Sequence, residues 1–191
     1  MKTVLSTAAL LVVLTLILLT VLAVVPAPAQ VRHLAQKKGE SSMTYRMVHP
    51  LHKIESTSRD VVYDLEADPV TKEFKKVSGT VDVTTFDSGN SNRDSHAMEV
   101  IDAIDYPDAK FEGTSFTQKG DSLIINGKVT FHGVTRDVTA GAVARWSQGK
   151  LEVDGGFVLS LEAFKIERPS LLMIPVEDRL SLDFVAVFGL E

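Results

Sequence analysis

The chain contains no cysteine. Disulfides are therefore excluded as a source of stability, thiol chemistry as a source of reactivity, and lipidation through cysteine as an anchor. It has one tryptophan and no block of basic residues. Its net charge of −5 becomes −6 once residues 1–29, which hold Lys2 and no acid, are set aside. An acidic surface without a basic stripe argues against nucleic acid and anionic lipid as partners. Nor is there a G-x-S-x-G nucleophile elbow or an H-E-x-x-H helix.

One long hydrophobic run is present, at the N-terminus. Lys2 precedes an uncharged apolar stretch from Thr3 to Val25, followed by PAPAQ, with Ala27 and Ala29 at the positions of an A-x-A cleavage site. This pattern predicts a signal peptide over residues 1–29. Its apolar part is also long enough for an uncleaved membrane anchor through residues 3–25. Either way the remaining chain is expected outside the cytoplasm, periplasmic or secreted. Residues 30–42, QVRHLAQKKGESS, are polar and without period, and read as a linker. A single domain is expected over 43–191.

From Met43 onward the dominant hydrophobic period is two, the mark of half-buried strands. Leu123, Ile125, Gly127, Val129 and Phe131 share a face. So do Leu151, Val153, Gly155, Phe157, Leu159 and Leu161, and likewise Leu180, Leu182, Phe184, Ala186 and Phe188. Val61, Tyr63 and Leu65 form a shorter set, as do Val77, Val81 and Val83. One segment departs from this period. Ser91 and Asp94 open a capping-box pattern, Ala97, Val100, Ile101 and Ile104 follow a helical stripe, and Pro107 ends it. A short helix is expected at about 92–104.

Strands with one apolar face need a common interior, so a sandwich or a closed barrel is implied. Edge removal favours the barrel. Several inward positions are small: Gly127, Ala140, Ala142, Ala144, Gly155 and Ala186. Facing Phe and Leu, such a wall either leaves a ligand-holding lumen or relieves crowding where strands bend.

Two clusters invite a catalytic reading. His49, His52 and His96 could supply three imidazoles to zinc. But Pro50 extends the backbone, and i, i+3 positions in a strand face opposite ways. The RDSH stretch could hold an Asp94–His96 acid–base pair or an anion at Arg93. Its simpler role is to brace the start of the helix with charge-assisted hydrogen bonds. Gly133, in GVTR, supplies a tight turn between strands, with Arg136 over the barrel end. Asp102 and Asp105 fall on the solvated side of the helix.

Three blocks carry a more specific signal: SNRDSHAM (91–98), YPDAKFEGTSF (106–116) and LIINGKVTFHGVTRDVT (123–139). Arg93, Asp94 and His96 match an R-D-x-H pattern. Tyr106, Pro107, Ala109 and Phe111 match Y-P-x-A-x-F. Gly127, Thr130, Gly133, Val134, Thr135, Arg136 and Val138 match G-x-L-T-x-x-G-V-T-R/K-x-V, with Val129 at the usual leucine. In this order the blocks resemble the YceI-like family of extracytoplasmic lipid-binding barrels. The likeness is close over about 77–139 and looser over 151–188. The opening strand departs from it: the usual I-D-x-x-H-S is replaced by MTYRMVHPLHKIES.

The resemblance implies an all-β fold, an eight-stranded antiparallel, up-and-down, lipocalin-like barrel. It implies a long isoprenoid or similar amphiphile in the lumen, and no catalytic reaction or cofactor. The inward residues expected to line that lumen are Val61, Tyr63, Leu123, Ile125, Val129, Phe131, Phe157, Leu159, Leu182 and Phe184, with the Tyr63 hydroxyl available to a head group. The alternatives are an envelope barrel that is structural or binds a protein partner, and a metalloenzyme using His49, His52 and His96.

Overall fold

A computed structural model describes residues 30–190. The expected signal or anchor, residues 1–29, lies outside the described residues. The fold is all-β with one short α-helix, but the strand count differs from the expected eight. Ten antiparallel strands form one curled sheet, and two more form a separate hairpin. In chain order the strands are β1 (Arg32–Leu34), β2 (Ser42–His49), β3 (His52–Ser58), β4 (Val62–Asp68), β5 (Glu73–Asp82), β6 (Asp108–Lys119), β7 (Ser122–Phe131), β8 (Val134–Ser147), β9 (Lys150–Leu159), β10 (Ser170–Leu171), β11 (Ile174–Pro175) and β12 (Leu180–Gly189). Helix α1 spans Ser91–Val100. The sheet order is β1-β4-β5-β6-β7-β8-β9-β12-β2-β3, with a continuous up-and-down meander from β4 to β9.

Three of the additional strands come from segments whose pattern hides them. Residues 30–42, expected as a linker, contain β1, which pairs with β4 and buries Leu34 at 1% exposure. A strand of three residues with one buried side chain is too short to show a period. The uncharged PSLLMIPV run (169–176) folds into the β10–β11 hairpin outside the main sheet.

No ladder among the described residues runs from β4 directly to β2 or β3. Side chains close the curl instead. Gln36 forms a backbone bridge to Phe188 on β12, while its side-chain amide donates to the Val61 carbonyl (3.0 Å) and accepts from the Tyr63 amide (2.9 Å). The Tyr63 hydroxyl donates to the Ser42 carbonyl at 3.0 Å, tying β4 to β2. At the other end, Thr57 and Asp87 exchange two backbone hydrogen bonds of 3.1 Å, tying β3 to the chain after β5. Backbone groups that a sheet edge would expose are thus satisfied across the seam.

The helix starts one residue earlier and ends sooner than its pattern suggests. Asn90, not Ser91, is the N-cap, accepting from the Arg93 amide at 3.1 Å. Asp102 then adopts a left-handed φ of 48°, which stops the helix. Ile104, expected on the buried stripe, is therefore 97% exposed. The GVTR turn forms as expected: Gly133 has φ 67° and His132 φ 48°, with Phe131 paired to Val134. Arg136, expected over the barrel end, is exposed and donates to the Thr135 carbonyl.

The small-residue wall is filled, not empty. Aromatic rings occupy the space it leaves: Phe111 stacks on Phe157 at 6.0 Å, Phe74 packs on Phe116 and Trp146, and Tyr63 on Phe184. At Gly127 a Cβ would lie 2.7 Å from the Phe111 ring and 2.5 Å from the Glu112 carbonyl oxygen. The core so formed runs from Leu34 to Phe188, and the ladders around it are internal to residues 30–190.

Two outcomes follow for stability. Gly127→Ala forces the Phe111 ring and the β6 backbone apart, and should lower stability by about 1–3 kcal/mol. Gly141→Ala, where a Cβ meets nothing within 4 Å, should change it by less than about 0.5 kcal/mol; urea unfolding midpoints at constant slope compare the two. Asp178 accepts from the Ser160 hydroxyl (2.6 Å) and the Glu162 amide (2.9 Å), which hold its carboxyl below the usual carboxylate range. The folded state favours the ionised form, so its stabilisation is complete above that range and is lost as pH falls through the lower folded value. Thermal melts from pH 6 to pH 3 should therefore fall less steeply for Asp178→Asn than for the parent chain.

A cavity between the barrel mouth and helix α1

The apolar interior is split in two. The mouth end holds a cavity of about 480 Å³, and the closed end only a void of about 40 Å³. The two share no lining residue. The division follows the strands. On β7, Leu123 and Ile125 face the small void while Val129 and Phe131 face the cavity, and Gly127 lies between them under the Phe111 ring. On β9, Val153 and Phe157 face the void and Leu159 the cavity. The stacked Phe111–Phe157 pair belongs to the void side of this division.

The residues expected to line one lumen are divided between these two spaces. Of the ten residues read as its lining, Val129, Phe131 and Leu159 line the cavity. Tyr63, Leu123, Ile125, Phe157 and Phe184 surround the small void instead. Val61 and Leu182 are buried but line neither space. The physical reason is ring volume: side chains deep in a narrow barrel pack on one another before a ligand can enter. Tyr63 offers nothing to a head group, since its hydroxyl donates to Ser42 and burial pushes the phenol well above its ordinary value.

The rest of the cavity wall comes from segments that alternation did not place there. Tyr45, Met47 and His49 line it from β2, and Ile54 from β3. Their signal was present in the sequence, because Met43, Tyr45, Met47 and His49 stand at every second position. Helix α1 contributes Ala97, Met98 and Val100, and Ile101 follows from its C-cap. The excursion between β9 and β12 contributes Leu161, Ile166 and Val176, all buried. Phe164, in the same excursion, packs on Phe131 at 5.9 Å and accepts from His132 Nδ1 at 3.0 Å.

Polar groups gather on the helix side. Asn90, Asn92, Arg93, Asp94 and His96 border the cavity there, with Tyr45 facing them. Arg93 and Asp94 are already engaged. The guanidinium donates to the Ser88 hydroxyl and carbonyl, each at 2.8 Å, and the Asp94 carboxylate accepts from the Ser88 amide at 3.2 Å. They brace the loop before the helix, as the structural reading of RDSH expects. The Tyr45 phenol is pushed up by burial and by the Asp94 carboxylate, against the opposing pull of the Ser56 hydroxyl and Arg93. Its ring packs on Phe86 at 5.2 Å.

Of the three histidines read as candidate metal ligands, His49 and His96 have other surroundings, and the His52 side chain lies outside what the structure describes. His49 is buried, with Nδ1 accepting from the Leu51 amide at 3.2 Å. The proton therefore sits on Nε2, which donates to the Ile174 carbonyl at 2.9 Å. His96 is exposed, 3.7 Å from Glu99. Among the described residues no three His, Cys, Asp or Glu side chains converge as a metal site.

The sequence blocks meet in space around this mouth. The Tyr106 ring lies 4.8 Å from that of His132 and covers Gly133, where a Cβ would approach it to 2.7 Å. His132 Nε2 is 3.2 Å from Asp102 after the helix. The Y-P block, the turn of the third block and the end of the helical segment thus form one rim.

Comparison with known proteins agrees with this arrangement. The family model described as YceI-like domain matches residues 34–188. Protein YceI of Escherichia coli is 38% identical over 69 residues, 35% of this chain and 36% of that protein, so the match spans about a third of its length. A UPF0312 protein of Pseudomonas putida is 30% identical over 138 residues, 68% of this chain and 69% of its own. Among solved structures, Burkholderia cenocepacia BcnA superposes with a TM-score of 0.72 at 20% identity, covering 80% of this chain and 98% of that one. A polyisoprenoid-binding domain from Saccharophagus degradans superposes with 0.62 at 10% identity, covering 84% and 99%. The curled antiparallel sheet, the covering helix and the sequence match across it agree: this chain belongs to the YceI-like domain family.

Proposed function

We propose that the protein is an extracytoplasmic carrier that sequesters an isoprenoid-type or similar amphipathic lipid in the cavity between the barrel mouth and helix α1, with no catalytic step. The observation that carries this reading is the cavity itself, about 480 Å³ and walled by Met47, Ile54, Val129, Phe131, Leu159 and Ile166. That size is typical of ligand sites, and burying apolar chain there is favourable by about 25 cal/mol per Å². The polyisoprenoid-binding neighbour from Saccharophagus degradans supports the choice of ligand class. The apolar run from Thr3 to Val25 with Ala27 and Ala29 supports export.

The volume sets a length. An apolar cavity of ~150 Å³ accommodates one benzene, so this cavity has room for roughly three such units, or about 20 carbons. A longer chain extends through the mouth, because the closed half offers only a void of about 40 Å³. The head group of the short ligand is then left among Asn90, Asn92 and Tyr45 at the helix side.

Residues 30–191 incubated with farnesol or geranylgeraniol should carry one equivalent in native mass spectrometry, removable by organic extraction. Ala97→Trp, which places an indole in the cavity, should weaken uptake at least tenfold. Tyr63→Phe, in the closed half, should leave it within twofold while costing about 1 kcal/mol of stability. A parent protein that stays free of lipid under these conditions refutes the reading.

A further inference from the structure

Exposed apolar side chains on the outward barrel face occur singly, as at Val62, Ile124 and Val158. Such isolated exposure is ordinary. At the mouth they are grouped. Met173 is 95% exposed and Leu172 75% at the tip of β10–β11, with Ile174 beside them at 41%. Leu51, 62% exposed, occupies the β2–β3 turn. His49 joins these turns: it accepts from Leu51 and donates to Ile174. The Glu177 amide adds a second tie to the Val48 carbonyl at 3.0 Å.

This tip has three further properties. Residues 169–176 carry no charge, on a chain that is acidic overall. Leu172 and Met173 both adopt left-handed φ, 52° and 64°, in a turn where glycine or asparagine is favoured. The backbone therefore holds two large apolar side chains where small polar ones cost less. Finally, the same hairpin lines the cavity through Pro169, Ser170 and Val176. Apolar surface thus continues from the outside of the tip to the inside of the cavity.

We infer that the tip formed by Leu51, Leu172 and Met173 docks on a lipid bilayer, inserting shallowly into an electrically neutral surface so that the amphiphile passes into the cavity without crossing water. The inference rests on the carrier reading above. Net negative charge disfavours an anionic surface, which makes a zwitterionic one the fitting partner. A second copy of the chain fits poorly: a stable interface takes ~800 Å² from each partner, more than two small turns present.

The test uses residues 30–191, the parent and the L172E/M173E double variant, with phosphatidylcholine vesicles and with farnesol in aqueous buffer. Both proteins should take up farnesol with affinities within twofold. The parent should float with the vesicles equally at low and high salt, since the contact is apolar, and the variant at least tenfold less. Farnesol uptake without vesicle association, or equal flotation of both proteins, overturns docking and leaves the carrier reading intact. A concentration-dependent dimer that the double substitution abolishes also overturns docking. Flotation that the substitution abolishes, in a protein that takes up no farnesol, supports docking and overturns the carrier reading.

Discussion

The stacked Phe111–Phe157 pair over Gly127 is the contact on which the rest of the interior depends. It converts a curled sheet that could have been one long tube into a packed half and a hollow half. Below it, Phe74, Phe116 and Trp146 fill the cross-section to the density of a protein core. Above it the strands present Met47, Val129, Phe131 and Leu159 to open space, and helix α1 with the β9–β12 excursion covers the opening. Stability and capacity are therefore allotted to different ends of one barrel. The closed end supplies burial, and the mouth end can remain hollow because the closed end does not need it.

Seam closure follows the same division. At the closed half, Gln36 and Tyr63 use side chains to satisfy backbone across a gap that no strand fills. At the mouth half, the seam is held by the Thr57–Asp87 exchange and by Ser58 against Thr85, hydroxyl to hydroxyl at 2.6 Å. The chain from Asp82 to Asn90 thus serves twice, as the seam partner of β3 and as the approach to the helix. That explains the density of short-range hydrogen bonds between Asp82 and Asp94, and why the charged residues there brace structure.

Much of the fold was legible in the sequence, and the reason is specific. β7, β9 and β12 are flanked by buried and exposed faces, so period two survives in Leu123–Phe131, Leu151–Leu159 and Leu180–Phe188. What stayed hidden lacks that asymmetry. β1 is too short, and so are β10 and β11, two residues each, in which no alternation can show. The end of the helix was misleading because Ile104 continues the stripe in sequence while Asp102 turns the chain away from it. The cavity was only partly legible, since alternation tells inward from outward but not deep from shallow. Val129 and Leu123 look identical in pattern, and the ring on the neighbouring strand decides which faces open space. Tyr63 illustrates the limit: its inward position was readable, its role as a seam bolt was not.

The polarity of the barrel has a consequence for how it can be held. The chain enters the described fold at Gln30, beside Asp68, and leaves it at Leu190, whose amide donates to Gly149 and whose carbonyl accepts from Arg32. Both ends sit at the closed pole. A tether at either terminus, whether a bilayer, a resin or a fused domain, therefore grips the sealed base and points the mouth outward. Held in this way the protein is gripped from its base, so whatever fixes it in place leaves the cavity entrance and the turns around it unobstructed.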